Sequence, residues 1–230
     1  MKNDLRKTES YVLMGKRAFI ALFFTFLTFA ALSVQVFAAP EWDGSSVEPQ
    51  NKTVIDGVFY YQISTPEELA YIAQNGDSWL GYNYILTEDI VLNQEDLTYD
   101  QDGKLTTDTD SLNVWTPING FSGIFDGDGH SVSGVYVDTD DSAGFFKTLE
   151  GSVKNLTVKN AYIKGGNYVG GICGFSDIEG DHIENCTFYG AVIGENYVGG
   201  ITGETDGYAG ALITDCTNYG DIWSVQGNAG

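Results

Sequence analysis

The feature that most constrains this chain is an internal repeat in its C-terminal half. The segment N-Y-V-G-G-I-C-G (residues 167–174) returns 29 residues later as N-Y-V-G-G-I-T-G (196–203). A second phrase, I-E-N-C-T-F-Y-G (183–190), returns after 30 residues as I-T-D-C-T-N-Y-G (213–220). Phrases that persist while their spacing varies by a residue are typical of a solenoid whose insertions fall in turns.

Fainter copies extend the repeat upstream, at V-K-N-L-T-V (153–158) and V-S-G-V-Y-V (132–137). Aligning the copies predicts two columns of equivalent residues that stack from coil to coil. The first column is Val135, Leu156, Cys186 and Cys216, at spacings of 21, 30 and 30 residues, and the second is Gly144, Gly170, Gly199 and Gly230, at spacings of 26, 29 and 31 residues.

The repeat unit is built of short β-strands, because its apolar residues alternate with period two. Leu156 and Val158 face one way, whereas Asn155 and Thr157 face the other. Units of about 20 to 30 residues with several short strands and glycine at their corners predict the coils of a parallel β-helix. A repeat of paired helices is excluded, since glycine and β-branched residues are too frequent.

Residues 1–38 have the features of a signal peptide. Basic residues precede an apolar run at 18–32, and V-F-A (36–38) places small residues where a signal peptidase reads them. The sequence therefore predicts cleavage after Ala38, with an uncleaved membrane anchor as the alternative. In both cases the rest of the chain lies outside the cytoplasm, secreted or at the cell surface, and no other segment is expected to insert into a membrane.

The exported chain is strongly acidic. Five of the 11 Lys and Arg residues and two of the 32 Asp and Glu residues lie in the leader, so six cations, all Lys, face 30 acids, a net charge of −24. Such a chain repels nucleic acid and anionic lipid, and it lacks the forked arginine donor that binds phosphate or uronate. Partners are expected to be neutral, cationic or bridged by a divalent metal.

Residues 39–53 are polar and contain two prolines, which predicts a linker. Residues 54–93 are predicted to form an N-terminal cap, beginning with a strand pair, or one strand broken at Asp56–Gly57. The cap contains one helix, with Thr65 as N-cap and Glu68 completing a capping box. The helix is predicted to begin at Pro66 and to end near Asn75–Gly76, with Leu69, Ile72 and Ala73 as its apolar face. It is expected to cover the open end of the first coil.

Residues 94–113 form an acidic segment that is predicted to be a solvated loop between strands. Asp100, Asp102 and Gly103 resemble part of an EF-hand loop, so a Ca²⁺ site is the alternative. Thr98 and Thr109 stand where the first and last ligands are needed, and no bidentate Glu follows at the right distance.

The phrase F-S-G-I-F-D-G-D-G-H (121–130), the helix and the V-G-G-I-x-G repeats together resemble bacterial surface proteins with GLUG-type repeats, which belong with the pectate-lyase-like right-handed parallel β-helices. The resemblance covers residues 54–230. It departs mildly, since this chain has V-G-G-I-C-G where the family usually has V-G-G-L-V-G. It implies a right-handed, all-β solenoid with a short N-terminal capping helix, placed outside the cell as part of a longer modular protein. Adhesion or display is the implied role, although related repeats also accompany immunoglobulin-cleaving peptidases.

The most enzyme-like cluster is Asp126, Asp128 and His130. Paired carboxylates can act as acid and base in glycoside hydrolysis, which makes a polysaccharide-active enzyme the alternative function, with Asp138 to Asp141 as further candidates. The composition D-G-D-G-H favours a tight turn instead, in which Asp caps amides and Gly adopts positive φ. A pectate lyase is disfavoured, because those enzymes use an arginine base and no Arg follows Arg17.

Two further sets of side chains have structural interpretations. His182 with Asp181 and Glu184 is too small a set for a zinc site, so a solvated turn is predicted. Asn185 and Asp215 are predicted to form a ladder of hydrogen bonds between coils. Cys173, Cys186 and Cys216 are predicted to be buried free thiols, since three is an odd number and side chains one coil apart are slightly too distant for an unstrained bridge.

The sequence therefore predicts a β-helix in residues 114–230 that acts as a binding or display module without catalysis of its own. It identifies no catalytic, cofactor-binding or metal-binding residue. The expected partner is a protein or glycan of a host or cell surface. Further repeats or domains are expected beyond Gly230, since that glycine occupies the position at which a new strand begins in earlier coils.

Overall fold

The computed structural model describes residues 41–75, 79–176, 182–206 and 212–225. The predicted leader, Gly230 and Asp181 lie outside these residues. Within them, no helix is both long enough and apolar enough to cross a membrane.

The described residues form a parallel β-helix with one short helix, α1 (Pro66–Gln74), which confirms the predicted fold class. The chain passes from sheet to sheet around each coil. The strands before the repeats are β1 (Lys52–Ile55), β2 (Val58–Ile63), β3 (Tyr84–Leu86), β4 (Ile90–Val91), β5 (Ile118–Phe121), β6 (Ile124–Asp126), β7 (Ser131–Ser133) and β8 (Tyr136–Asp138). The repeats contain β9 (Phe146–Leu149), β10 (Ser152–Lys154), β11 (Thr157–Lys164), β12 (Asn167–Gly170), β13 (Cys173–Ser176), β14 (His182–Glu184), β15 (Thr187–Gly194), β16 (Asn196–Gly199), β17 (Thr202–Thr205), β18 (Leu212–Thr214), β19 (Thr217–Asn218) and β20 (Asp221–Ser224).

Three main sheets run along the solenoid. The first has the order β1-β2-β3-β6-β10-β14-β18, the second has β19-β15-β11-β7-β4 with β8 and β20 also paired to it, and the third has β17-β13-β9-β5. A short pair, β12 and β16, completes the repeats. The named strands pair in parallel except β1 and β2, which form an antiparallel hairpin at the N-terminal edge of the first sheet. The hairpin turns at Asp56 and Gly57, both with positive φ, as a two-residue turn of this kind requires.

The core is the stack of inward side chains enclosed by these sheets. Val153 pairs with Phe125 and Ile183, and Val158 pairs with Val132 and Phe188, and all are buried. Leu156 and Cys186 are fully buried between these positions, whereas Thr157 is only partly buried. The predicted inward and outward alternation is therefore confirmed for these coils.

The predicted column is wrong at Val135. Tyr136 pairs with Tyr162, so Val135 lies beside Ala161, one residue before that pair, and not beside Leu156. Successive coils here are separated by 26 residues, as between Val132 and Val158, and not by 21. The glycine column holds in the described residues, since Gly170 pairs with Gly199.

The predicted helix is confirmed, with one difference in its cap. Thr65 accepts a hydrogen bond from the Glu68 amide at 3.3 Å. The Glu68 carboxylate accepts the amide of Ser64 at 2.8 Å, one residue before the N-cap itself. The helix ends at Gln74, with Asn75 as its C-cap. Its fully buried residues are Leu69, Ala70 and Ile72, and Ala73 packs against the same core.

The predicted linker is part of the fold from Trp42 onward. Trp42 is buried in the main core, and its carbonyl accepts a hydrogen bond from the Asn113 side chain. The Val47 amide donates to the carbonyl of Glu67 at 3.0 Å. This segment therefore packs against the cap before β1 begins.

The acidic segment is a strap, residues 94–112, that lies against the outer face of the second sheet. Leu97 of the strap is buried there in a cluster with Tyr136, Tyr162, Ala191 and Ile193. The Tyr162 hydroxyl donates to the carbonyl of Gly103 at 3.2 Å. A sheet face that would otherwise be solvated is thus apolar because the strap covers it.

The strap also links distant coils. Tyr99 contacts Trp223 with ring centroids 5.4 Å apart, and its hydroxyl donates to Asp221 at 3.2 Å. The Trp223 indole N–H donates to the carbonyl of Gln101 at 3.3 Å. The segment is therefore a packed element of the fold, and the prediction of a solvated loop is corrected.

Candidate functional site

The predicted acid pair lies at the corner between β6 and β7, where Asp126 is a structural residue. Its Oδ1 accepts the Asp128 amide at 3.0 Å and the Asn155 side-chain amide at 2.9 Å. Its Oδ2 pairs with Lys154 Nζ at 3.0 Å, and this hydrogen bond raises the pKa of Lys154. Both carboxylate oxygens of Asp126 are therefore engaged, and the residue is 8 % exposed.

Asp128 and His130 complete the same turn. Asp128 and Gly129 both have positive φ, and the His130 amide donates to the carbonyl of Gly127 at 2.8 Å. The turn predicted from D-G-D-G-H is confirmed. The His130 imidazole lies 3.6 Å from Asp89, a residue the sequence analysis did not identify.

Asp89 belongs to the coil before this turn. Its carboxylate accepts the amide of Ser131 at 2.8 Å and the Ser131 hydroxyl at 3.0 Å. The bond from the Ser131 amide is the main cause that lowers the pKa of Asp89. Asp89 therefore fixes the start of β7, as Asp126 fixes the turn before it.

An amide ladder runs from the Asp126 corner along the solenoid. Asn185 donates to Asn155 at 2.9 Å, and Asn155 donates to Asp126. Asn155 and Asn185 both have left-handed backbone, which asparagine tolerates better than most residues. A ladder was predicted at Asn185 and Asp215, and the observed one extends from Asn185 toward the N-terminal coils.

His182 and Glu184 are exposed on β14. Within the described ranges, no three His, Cys, Asp or Glu side chains lie close enough together to hold a metal ion. In the strap, Asp100 accepts the amides of Asp102 and Lys104, both at 3.0 Å. The partial resemblance to a Ca²⁺ loop therefore corresponds to an Asp-capped turn.

The three cysteines form no disulfide, as predicted, and Cys173 and Cys186 are buried. The prediction that Cys216 is buried is wrong, because it is partly exposed. Cys216 lies one coil beyond Cys186, and the Cys186 amide donates to the Cys216 sulfur at 3.5 Å. Hydrogen bonds from the Cys186 thiol and amide lower the pKa of Cys216 to about 7. The hydrogen bond with the Cys216 side chain, and then burial, raise the pKa of Cys186.

We expect iodoacetamide to alkylate Cys216 first in the folded protein, because a thiolate that is partly exposed is the reactive form. Its rate should begin to rise at a lower pH than that of an ordinary thiol, because the pKa of Cys216 is lowered. Peptide mass mapping after short labelling measures each site, and Cys216→Ser should abolish the fast phase. Equal labelling of Cys186 and Cys216 would contradict this order.

A groove of about 420 Å³ opens beside the acids Asp138 and Asp141. Asp138 pairs with Lys164 at 2.8 Å, and Asp141 pairs with Lys147. The hydrogen bond from Lys147 is the main cause that lowers the pKa of Asp141. One wall of the groove precedes β5, the other follows β8, and the lining residues are Val114, Trp115, Thr116, Pro117, Asn119, Val137, Asp138, Thr139, Asp141, Ser142 and Lys147.

Two rows of stacked tyrosines lie on the outside of the repeats. Tyr168 and Tyr197 stack with centroids 5.0 Å apart, and Tyr189 and Tyr219 stack at 4.8 Å. Tyr197, Tyr189 and Tyr219 are 41 %, 43 % and 66 % exposed. The N-Y-V-G-G and F-Y-G or N-Y-G phrases contain all four, so the repeat itself was the signal for these rows.

Tyr168 and Tyr197 also have left-handed backbone, which is costly for a bulky residue. They are held beside Asn167 and Asn196, whose side chains hydrogen-bond to each other at 2.8 Å. The rows therefore present rigid aromatic surface at fixed spacing.

Comparison with known proteins gives two partial similarities. No protein-family model matches the chain. A stretch of 78 residues, 32 % of this chain, is 38 % identical to halomucin of Haloquadratum walsbyi, and the match spans 1 % of that protein's length. A solved structure of a candidate immunoglobulin A1 protease from Bacteroides ovatus is similar over 72 % of this chain and 67 % of its own, with 18 % identity and a TM-score of 0.39.

Proposed function

We propose that the chain is a β-helical binding module outside the cell, acting in adhesion or display of a ligand-binding surface, without catalysis of its own. The observation that carries the proposal is the state of Asp126. Both of its oxygens are taken by hydrogen bonds and an ion pair that build the corner. These contacts build the corner of the coil, and a residue that is only 8 % exposed offers little surface to a polysaccharide substrate.

The alternative, a glycoside hydrolase, would act at the groove, where Asp138 and Asp141 both contribute to the lining. A general acid in such an enzyme needs a raised pKa, so that it is protonated at working pH. Lys147 instead lowers the pKa of Asp141. Asp141 is therefore unsuited to the role of the general acid.

The tyrosine rows support a role in binding. Tyrosine is enriched in protein interfaces because it offers a large contact area at a low cost in side-chain entropy. Three of the four ring side chains are more than 40 % exposed, and their stacking fixes them before any partner arrives. A host or cell-surface protein or glycan is the partner we propose.

Export is supported by the signal-peptide features of residues 1–38. Within this proposal, the module works in the medium or on the cell surface. The negative charge limits its partners to those without strong negative charge of their own.

Incubation of the chain with plant and mucosal polysaccharides is expected to yield no new reducing ends and no unsaturated products. The same chain, labelled and applied to immobilised mucin from which sialic acid and sulfate have been removed, is expected to be retained. Asp128→Asn and Asp141→Asn serve as controls for the two candidate acid sites. Hydrolysis that either substitution abolishes would overturn the non-catalytic proposal, and absence of retention on mucin would remove mucin as a partner.

A further inference from the structure

We propose that the groove between the segment before β5 and the segment after β8 binds a short, uncharged saccharide. This inference rests on the proposed binding function and names the ligand class and the site. Its volume of about 420 Å³ lies in the range of small-molecule sites in proteins.

The walls of the groove are held in place by hydrogen bonds before any ligand is present. On one side, the Trp115 amide donates to the carbonyl of Tyr136 at 2.7 Å, and its indole N–H donates to the carbonyl of Phe145 at 3.0 Å. The Trp115 ring stacks on Phe145 with centroids 5.1 Å apart. This wall therefore cannot collapse into the groove without breaking buried contacts.

The opposite wall is a turn fixed by its own side chains. The Thr139 amide donates to the carbonyl of Lys164 at 3.1 Å, which ties the turn to the next coil. The Asp141 amide donates to the Thr139 hydroxyl at 3.3 Å, and the Ser142 amide donates to the Asp141 carboxylate at 2.8 Å. Because both walls are preorganised, a ligand would not need to order them on binding.

The lining combines apolar surface with a few polar groups. Val114 is 57 % exposed and lines the groove together with the partly exposed Pro117. Such aliphatic surface suits the C–H faces of a sugar ring, whose burial removes apolar area from water. A site for a free ion would offer polar atoms without this apolar wall.

The charges of the groove are paired, which favours a neutral ligand. Asp138 is neutralised by Lys164, and Asp141 by Lys147. Carboxylate oxygens can still accept hydrogen bonds from sugar hydroxyls, and the Lys147 ammonium can donate to them. An anionic sugar would meet two carboxylates, and the net charge of −24 after leader removal would repel it before contact.

Asn119 supplies a second donor. Its Oδ1 accepts the Thr148 hydroxyl at 2.7 Å, and that hydroxyl oxygen accepts the Gly120 amide at 2.7 Å. These bonds fix the orientation of the amide, so its exposed NH₂ group can donate to a ligand hydroxyl. An amide beside a carboxylate gives one donor and one acceptor to neighbouring hydroxyls, a pattern that matches a polyol.

The test is titration of the ¹⁵N-labelled protein with maltotetraose, cellotetraose, chitotetraose and N-acetyllactosamine, with tetragalacturonate and CaCl₂ as charged probes. We expect at least one neutral oligosaccharide to shift the amide signals of Asn119, Thr139 and Lys147 at millimolar concentration. Asn119→Ala and Asp141→Ala should each weaken that binding by about tenfold, the loss expected for one hydrogen bond in which a charged or well-oriented partner takes part. Asp110→Ala, an exposed acid on the strap, is the matched control and should change nothing.

Val114→Lys provides a second variant that does not depend on the polar groups, since its longer side chain should obstruct the groove and abolish binding. Melting curves confirm that each variant is folded. Neutral sugar binding that none of these substitutions affects would overturn the groove site while leaving the binding function standing. Failure of all four neutral sugars, or selective binding of Ca²⁺ or tetragalacturonate at these residues, would also overturn the site. Retention on mucin would then show whether the wider proposal survives.

Discussion

Replacing Leu156 with aspartate should lower the free energy of unfolding by about 4 kcal/mol, because it places an unpaired carboxylate in the core. Leu156 is fully buried and lies just before β11, between the inward residues of the first and second sheets. Cys186, one coil further along, is also fully buried, so the charge would lie among apolar side chains and away from water. Urea denaturation followed by circular dichroism measures the loss.

The matched control is Thr157→Asp, one residue further along the chain. Thr157 is partly exposed on the outer face, where it pairs with Ser131 and Thr187. A carboxylate there remains in water, and the expected loss is under about 1 kcal/mol. Equal losses for Leu156→Asp and Thr157→Asp would show that the inward and outward alternation is wrong by one residue.

This alternation was predictable from the sequence because the repeats are close copies. The phrases at 183–190 and 213–220 have identical residues at five of eight positions, so they align without an insertion. In the structure, Ile183 pairs with Ile213 as this alignment requires. The short helix was predictable for a similar local reason. Its Thr65 and Glu68 caps lie within one turn, so no distant contact had to be known.

The column at Val135 was not predictable by the same reasoning. An apolar V-x-x-apolar pattern occurs on both sides of a corner, so V-S-G-V could align with more than one part of the next coil. In the structure, Val132 pairs with Val158, and the register of β11 then shifts against β15 between Val158 and Ala161. Only the neighbouring coils select this register, and they are distant in sequence.

The strap and the groove depend on still longer contacts. Tyr99 contacts Asp221, which lies 122 residues further along the chain, and also contacts Trp223. No local sequence pattern predicts these contacts. Outward-facing Tyr136 and Tyr162 on one sheet were the available signal that this face is covered. The groove forms between residues 114–119 and 137–147, and composition does not predict how these segments are placed. Its acids Asp138 and Asp141 could still be named as candidates from the sequence.

Replacing Asn93 with alanine should lower the free energy of unfolding by about 3 kcal/mol, because this buried amide closes the base of the strap. Its NH₂ group donates to the carbonyls of Asn113 at 2.9 Å and Gly134 at 2.8 Å, and its oxygen accepts the Asn113 amide at 2.7 Å. Asn93 and Asn113 flank the strap at its two ends. The substitution leaves three backbone groups without this partner, each at a cost of about 1 kcal/mol.

The backbone of Gly134 lies so close to that of Asn93 that a side chain at position 134 would also destabilise this region. Gly134 has a φ of +74°, and a Cβ there would lie 2.2 Å from the carbonyl oxygen of Asn93. The backbones of the two coils are therefore in contact at this point, and the structure has little freedom to close over a missing amide. Gly134→Ala should destabilise the protein for the same reason, through strain and a direct clash.

Asn119→Ala is the matched control, since it removes an exposed amide and should cost under about 1 kcal/mol. Limited proteolysis gives a second readout. Loss of the Asn93 bonds should release the strap before the solenoid unfolds, so cleavage within residues 94–112 should accelerate in Asn93→Ala and not in Asn119→Ala. Stability and strap protection both unchanged in Asn93→Ala would mean that Leu97 and the ring contacts of Tyr99 and Trp223 hold the strap without it. If Asn93→Ala lowers the free energy of unfolding while the strap stays protected from proteolysis, Asn93 stabilises the core and does not hold the strap.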